Sequence, residues 1–234
     1  MDGRYWAWLG VRLVVGVAIV GWAASYLIPG NGEKEFQRTL DALKQVQSVN
    51  IASTTDQSGT QHSEMLWEVS CPQQAYHYTW HLVDTSRPGA PSEINRDEMH
   101  VGILQWDHQS DDSWAPSRNG NSGSTGINLC RRIREGGDDG PMPAITTMIR
   151  RGILQKGDKK TVGGVRCREW DVTIKGPTGL DHDTVCLGVD DHLPYESTVG
   201  WLHMRTVYSG YNSAVPLALP SAAVQSTSVT TSSN

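Results

Sequence analysis

The hydrophobic pattern of the chain changes character as it is followed from its start. From Leu13 to Ile28 the sequence runs without a charge and is closed by Pro29-Gly30. Arg4 and Arg12 lie before this run, and Glu33, Lys34, Glu35 and Arg38 lie after it. From Glu33 to Val49 apolar residues recur at helical spacing. Phe36, Leu40, Leu43 and Val46 share one face, Glu35, Arg38, Asp41 and Lys44 the other, and Asn31 is placed to cap the helix. The period then shortens to two. Asn50–Thr60 and Ser63–Cys71 read as strands paired across a turn at Gly59, Ala75–Val83 alternates through Tyr76, Tyr78 and Trp80, and Glu98–Asp107 is a further strand.

Asp111–Gly126 is rich in Ser, Asn and Gly and reads as a loop, without the Lys-Ser/Thr of a phosphate loop. Pro141–Arg151 has Pro near its start and Gly152 at its end, as a short helix does. Four strand-like segments come next, separated by turns: Gly164–Ile174, Asp181–Val189, Tyr195–Gly200 and Trp201–Tyr208. The Ser/Thr-rich stretch from Ser221 to Asn234 reads as a disordered tail. The pattern predicts an α+β protein: an N-terminal membrane or signal helix over residues 1–30, then one exported domain over 31–220. That domain is a curved antiparallel sheet packed against a few helices.

The basic leader ahead of the apolar run keeps that end in the cytoplasm and exports the chain beyond Gly30. The expected location is periplasmic or extracytoplasmic, with the helix anchoring the domain in the inner membrane. Cleavage near Ala23-Ala24-Ser25 is the alternative, and no lipid-attachment cysteine stands after it. Cys71, Cys130, Cys167 and Cys186 are even in number, as befits an oxidising compartment. A symmetric hairpin about Lys175–Leu180 sets Cys167 opposite Cys186 at bridging distance, which leaves Cys71 to pair with Cys130. The same register puts Trp170, Val172 and Ile174 on the other face with Val185, Leu187 and Val189. The cysteines lack zinc-site spacing, and the net charge of −5 carries no basic patch for nucleic acid.

The C-terminal half carries a resemblance. Gly163-Gly164-Val165-Arg166-Cys167-Arg168-Glu169-Trp170-Asp171-Val172 opens a meander, and Asp190-Asp191-His192-Leu193-Pro194-Tyr195 turns it into the next strand. Arg205–Asn212 is a late strand, with an exit through Pro216 and Pro220. This succession, over roughly residues 150–216, resembles the lipoprotein-carrier superfamily of LolA, LolB and the mycobacterial LppX/LprG group. The resemblance implies a half-barrel enclosing an apolar cavity for acyl chains, without enzymatic activity and without a cofactor. Some members are envelope sensors that bind mislocalised lipoproteins, so an envelope protein is the alternative partner to a lipid. The chain departs from the family in having one Phe and two inferred disulfides, which points to a smaller or altered cavity.

Nine tryptophans stand out. Trp6, Trp8 and Trp22 belong to the apolar leader. Trp67, Trp80, Trp106, Trp170 and Trp201 fall in strand-like segments and are the candidate cavity wall, together with Val172, Ile174, Val185 and Leu187. Ordinary burial in a sheet core is the competing expectation. No catalytic or dinucleotide motif is present. Asp181 and Asp183 flank His182, and His192 follows Asp191. These are the residues a hydrolase would use, but they read as exposed or turn residues.

Overall fold

The structure is a computed structural model that describes residues 31–57, 59–87, 89–117, 126–135, 153–176, 179–213 and 216–220. The expected leader helix, the tail from Ser221 and the Pro141–Arg151 helix lie outside the described residues. Among the described residues no helix is long and apolar enough to cross a membrane.

Helix α1 spans Asn31–Leu43, and α2 spans Gly126–Glu135. Among the described residues eleven strands accompany the two helices. They are β1 Ser48–Gln57, β2 Gln61–Ser70, β3 Ala75–Asp84, β4 Ser92–Val101, β5 Leu104–His108 and β6 Trp114–Pro116, then β7 Ile153–Val162, β8 Val165–Gly176, β9 Gly179–Gly188, β10 Pro194–Val199 and β11 Met204–Ser209. All lie in one open antiparallel sheet of order β6-β5-β4-β3-β2-β1-β11-β10-β9-β8-β7. Two meanders, β1–β6 and β7–β11, are thus joined where the first strand pairs with the last.

Contacts across the sheet show how it curves. The two helices touch each other, while α1 also touches β7 and α2 touches β3. β3 is fourth and β7 eleventh in the sheet. Seven spacings of about 4.8 Å would separate them by roughly 34 Å if the sheet were flat. Two packed helices, each about 10–12 Å across, reach both strands only if the sheet curls around them.

The core follows the periodicities. Phe36, Leu43 and Val46 from α1 and its C-terminal turn, with Leu129 and Ile133 from α2, pack on Val49, Ile51, Val69, Val172, Val185 and Tyr208. Cys71–Cys130 ties the β2–β3 turn to α2, and Arg134 donates to Val46 O at 3.0 Å and Gln47 Oε1 at 2.9 Å. Gly32 lies so close to β7 that a Cβ there would stand 2.6 Å from Leu154 Cβ.

Both expected disulfides are present, each with Cα atoms 5.5 Å apart. The hairpin register differs from the expected one. Cys167 faces Gly188, and Cys186 faces Glu169, so the bridge runs diagonally. Pairing continues to Gly176 opposite Gly179, a tighter connection than the symmetric hairpin assumed. The slip is two residues, so every side chain keeps its face. Glu98–Asp107 is not one strand. It breaks at Gly102, whose φ of +58° favours glycine, into β4 and β5. The strand at Ile153–Val162, the helix at Gly126–Glu135 and the short strand at Trp114–Pro116 are additions to the sequence reading.

Candidate functional site

Residues opposite one another in adjacent strands point to the same face. One cross-strand row therefore defines the inner, helix-bearing face from β7 to β4. It runs Lys156, Trp170, Val185, Ser197, Thr206, Ser53, Met65, Trp80, Arg96. A neighbouring row carries Ile51, Trp67, Tyr78 and Glu98.

The helices fill one part of this face. Trp170 is 4% exposed, Val172 and Val185 are fully buried, and Leu187 is 3% exposed, all in the main core. The hydroxyls in the middle of the row are satisfied: Ser53 Oγ and Thr206 Oγ1 are 2.8 Å apart, and Ser197 Oγ and Tyr208 Oη 3.1 Å. Burial pushes the Tyr208 hydroxyl up to about 12.

Toward β2, β3 and β4 the inner face opens into a pocket of about 320 Å³. Met65, Tyr78, Trp80 and Leu82 give it apolar walls, and Thr55, Gln57, Gln61, Ser63 and Arg96 give it polar ones. Trp80 Nε1 donates to Ser63 Oγ at 2.8 Å, and the Arg96 guanidinium stands 5.3 Å from the Trp80 ring centroid. Both contacts fix the indole with its ring toward the pocket's polar rim. Tyr78 packs on Trp67 at 4.8 Å between ring centroids, and both pack on the main core. The pocket is thus continuous with the core through Tyr78. Burial, then the Glu98 carboxylate, raises the Tyr78 hydroxyl to about 12, so it stays neutral as a hydrogen-bonding group. The arrangement is an apolar slot with a polar mouth, suited to an aliphatic chain.

The structure separates the remaining candidates. Trp106 lies on the outer face, where with Ala75, Met99 and Val101 it forms a second small core covered by Leu217 and Leu219. Trp201 is not in a strand. It sits in the 3-10 turn Gly200–Leu202 and is 59% exposed. The Ile174 side chain lies outside the described residues. Sequence reading missed Met65, Tyr78, Leu82 and Arg96 as pocket residues. The signal was available in the period-two run Tyr76-x-Tyr78-x-Trp80-x-Leu82, since the turn over Cys71–Gln74 sets Met65 opposite Trp80.

The outer face holds a larger hollow of about 700 Å³, lined on that side by Leu66 and Thr79 but also by His81, Asn95, Asp97 and His108. It lies on the face away from the helices and the main core. Beside it His77 lies 2.9 Å from Glu68 Oε2 and 2.6 Å from Asp97 Oδ1. Burial lowers the His77 pKa, but these two carboxylates outweigh it and hold the imidazole above its ordinary value. No group of three metal-ligating side chains comes together among the described residues. His182 is exposed, Asp183 accepts from the Gly200 N–H at 2.9 Å, and His192 Nδ1 lies 2.6 Å from Glu35 Oε1. Asp183 thus holds the turn at Gly200, and His192 the contact with α1. Asp191 Oδ1 accepts from Leu193 N–H at 3.1 Å, as the expected turn requires.

No family model matches the chain, and no curated protein sequence matches it. Solved structures do. LprF from Mycobacterium bovis superposes with a TM-score of 0.56 at 11% identity, over 81% of this chain and 95% of that one. The Mycobacterium tuberculosis lipoprotein LppX gives a TM-score of 0.49 at 17% identity, over 79% and 97%. The MucB of a complex with periplasmic MucA gives 0.40 at 15% identity, over 83% and 60%. With its open curled sheet and inner helices, the chain has the fold of LprF.

Proposed function

We propose that this chain is a non-enzymatic cell-envelope carrier that holds an acyl chain or similar apolar ligand between its helices and the inner face of its sheet. The observation that carries the reading is the apolar slot of Met65, Tyr78, Trp80 and Leu82, continuous with the core on a carrier fold. Its volume is near the lower end of the roughly 300–1,000 Å³ usual for ligand sites. That matches one chain segment rather than several. Of the sequence candidates, Trp80 lines this slot and Trp67 packs on its Tyr78 wall, while Trp170, Val172, Val185 and Leu187 form the wall behind the helices. Residues 1–30 act as the export segment and inner-membrane anchor, 31–220 as the single carrier domain and 221–234 as a tail. The two disulfides agree with an extracytoplasmic location.

The test is native mass spectrometry of the protein purified from an envelope fraction, before and after organic extraction. A co-purifying acyl-lipid mass that extraction removes is the expected result. Its absence, with no uptake of an added fluorescent fatty acid, overturns the reading. An envelope sensor of the same fold is the second reading. It is favoured by exposed apolar residues, foremost Trp201 and Ile103, which are 59% and 69% exposed.

A further inference from the structure

The other end of the same inner-face row carries a different chemistry. A pocket of about 400 Å³ opens between α1 and strands β7, β8 and β9. Lys34, Arg38, Lys156, Lys159 and Arg168 line it, against one carboxylate, Glu35. That carboxylate is already engaged by His192 at 2.6 Å and Arg38 at 3.4 Å. Among the described residues Lys34, Lys156 and Lys159 have no carboxylate partner. This concentration of positive charge stands on a chain whose net charge is −5.

A local irregularity builds the cluster. Along a regular strand, residues three apart point to opposite faces. Lys156 pairs with Trp170 and Lys159 with Arg168, so the two residues between them oppose Glu169 alone. This bulge returns Lys159 to the face of Lys156. Gly157 sits in it so tightly that a Cβ would come within 3.2 Å of Glu169 O. Arg168 donates to Gly157 O at 2.9 Å, which holds its guanidinium beside the bulge. Gathering like charges is unfavourable without a counter-charge. Trp170 and Leu187 provide an apolar floor. The Trp170 indole N–H, on a residue 4% exposed, is buried without an acceptor among the described residues.

We infer that this pocket binds a phosphate-bearing anion, held by the cations of α1 and the β7–β8 bulge above the Trp170 floor. The source of the phosphate, lipid headgroup or free anion, rests on the carrier reading. The site itself does not.

The test uses the full chain in neutral detergent and isothermal titration calorimetry with three probes. These are dihexanoyl phosphatidate, dihexanoylglycerol and inorganic phosphate. Lys156 and Lys159 are exposed, so the double variant K156Q/K159Q alters charge without disturbing packing. Lys34→Gln tests the opposite wall, and Lys44→Gln, just past the C-terminal end of the same helix and outside the pocket, is the control. Phosphatidate should bind at least about tenfold more tightly than dihexanoylglycerol, as charge-assisted contacts to its headgroup require. K156Q/K159Q should erase that preference, Lys34→Gln should reduce it and Lys44→Gln should keep it, all with dihexanoylglycerol affinity unchanged. If inorganic phosphate binds in a lysine-dependent way while both lipids are ignored, the anion site stands and the carrier reading falls. If phosphatidate and dihexanoylglycerol bind equally, or if K156Q/K159Q retains the preference, the anion site is overturned whatever becomes of the carrier reading.

Discussion

Two tryptophans on one cross-strand row should respond in opposite ways to truncation. Trp170 is 4% exposed within the main core, whereas Trp80 is half-buried and lines the open slot. Trp170→Ala removes a large packed ring from between α1 and the sheet, a change that costs about 3–5 kcal/mol. A domain of this size loses about 2–4 °C of Tm per kcal/mol, so the fall should be roughly 6–20 °C. That is a large share of the stability of a typical domain, about 5–15 kcal/mol. Trp80→Ala removes a ring that already borders solvent and frees Ser63 Oγ to water, so it should cost about 1–2 kcal/mol. Its effect belongs on binding, because the ring is a wall of the slot. Far-ultraviolet circular dichroism against urea separates the two on stability, and a fluorescent fatty acid separates them on affinity. Trp80→Ala should weaken the probe about tenfold or more, while the folded fraction of Trp170→Ala binds as the parent does. The reasoning fails if Trp80→Ala binds the probe unchanged, or if Trp170→Ala loses probe affinity with its urea midpoint intact.

Other substitutions test the framework around the slot. In the chain-entropy picture, the Cys71–Cys130 bridge, with its separation of 59 residues, should contribute about 4 kcal/mol and Cys167–Cys186, with 19, about 3 kcal/mol. Urea midpoints of the paired Cys→Ala variants should fall in that order, and non-reducing peptide mapping should return these two pairs alone. Gly32→Ala should destabilise the protein in thermal melts, although Ala favours a helix interior by about 1 kcal/mol, because the new Cβ meets Leu154. A neutral or stabilising result would show that α1 does not press on β7 there. The raised pKa of His77 makes its contribution fully present below its unfolded value near 6.5, and lost as pH rises through the higher folded value. His77→Gln should therefore narrow the stability gap between pH 5 and pH 8, which parallel urea titrations would show.

What the sequence made legible was the facing of side chains; what it hid was where the chain breaks and shifts. The alternation through Tyr76, Tyr78 and Trp80 placed the aromatic wall of β3, and the hairpin about Lys175–Leu180 gave one bridge and, by elimination, the other. The turn at Gly102 was hidden because Glu98–Asp107 contains enough strand formers to read as one element. The helix Gly126–Glu135 was hidden because Leu129, Cys130 and Ile133, which are buried in the core, stand in a short segment entered from a polar loop. β7 was hidden because its apolar residues, Ile153, Leu154 and Val162, lie at its ends and leave a polar centre. The pairing of β1 with β11, which joins the two meanders, comes from tertiary packing that no local pattern encodes.

These errors differ in consequence because a sheet has period two. The Cys167–Cys186 hairpin is shifted by two residues from the symmetric register, and Trp170, Val172, Val185 and Leu187 remain together on the inner face. An inference about which residues share a wall survives such a slip, and even the disulfide survives it as a diagonal bridge. The bulge between Lys156 and Lys159 is a shift of one, and one residue moves a side chain to the other side of the sheet. Read as a regular strand, β7 would send one of these lysines outward and leave the cluster beside Trp170 dispersed. The apolar wall therefore depends on composition and alternation, which sequence displays. The cationic pocket at its far end depends on a single inserted residue, which only the paired strands reveal.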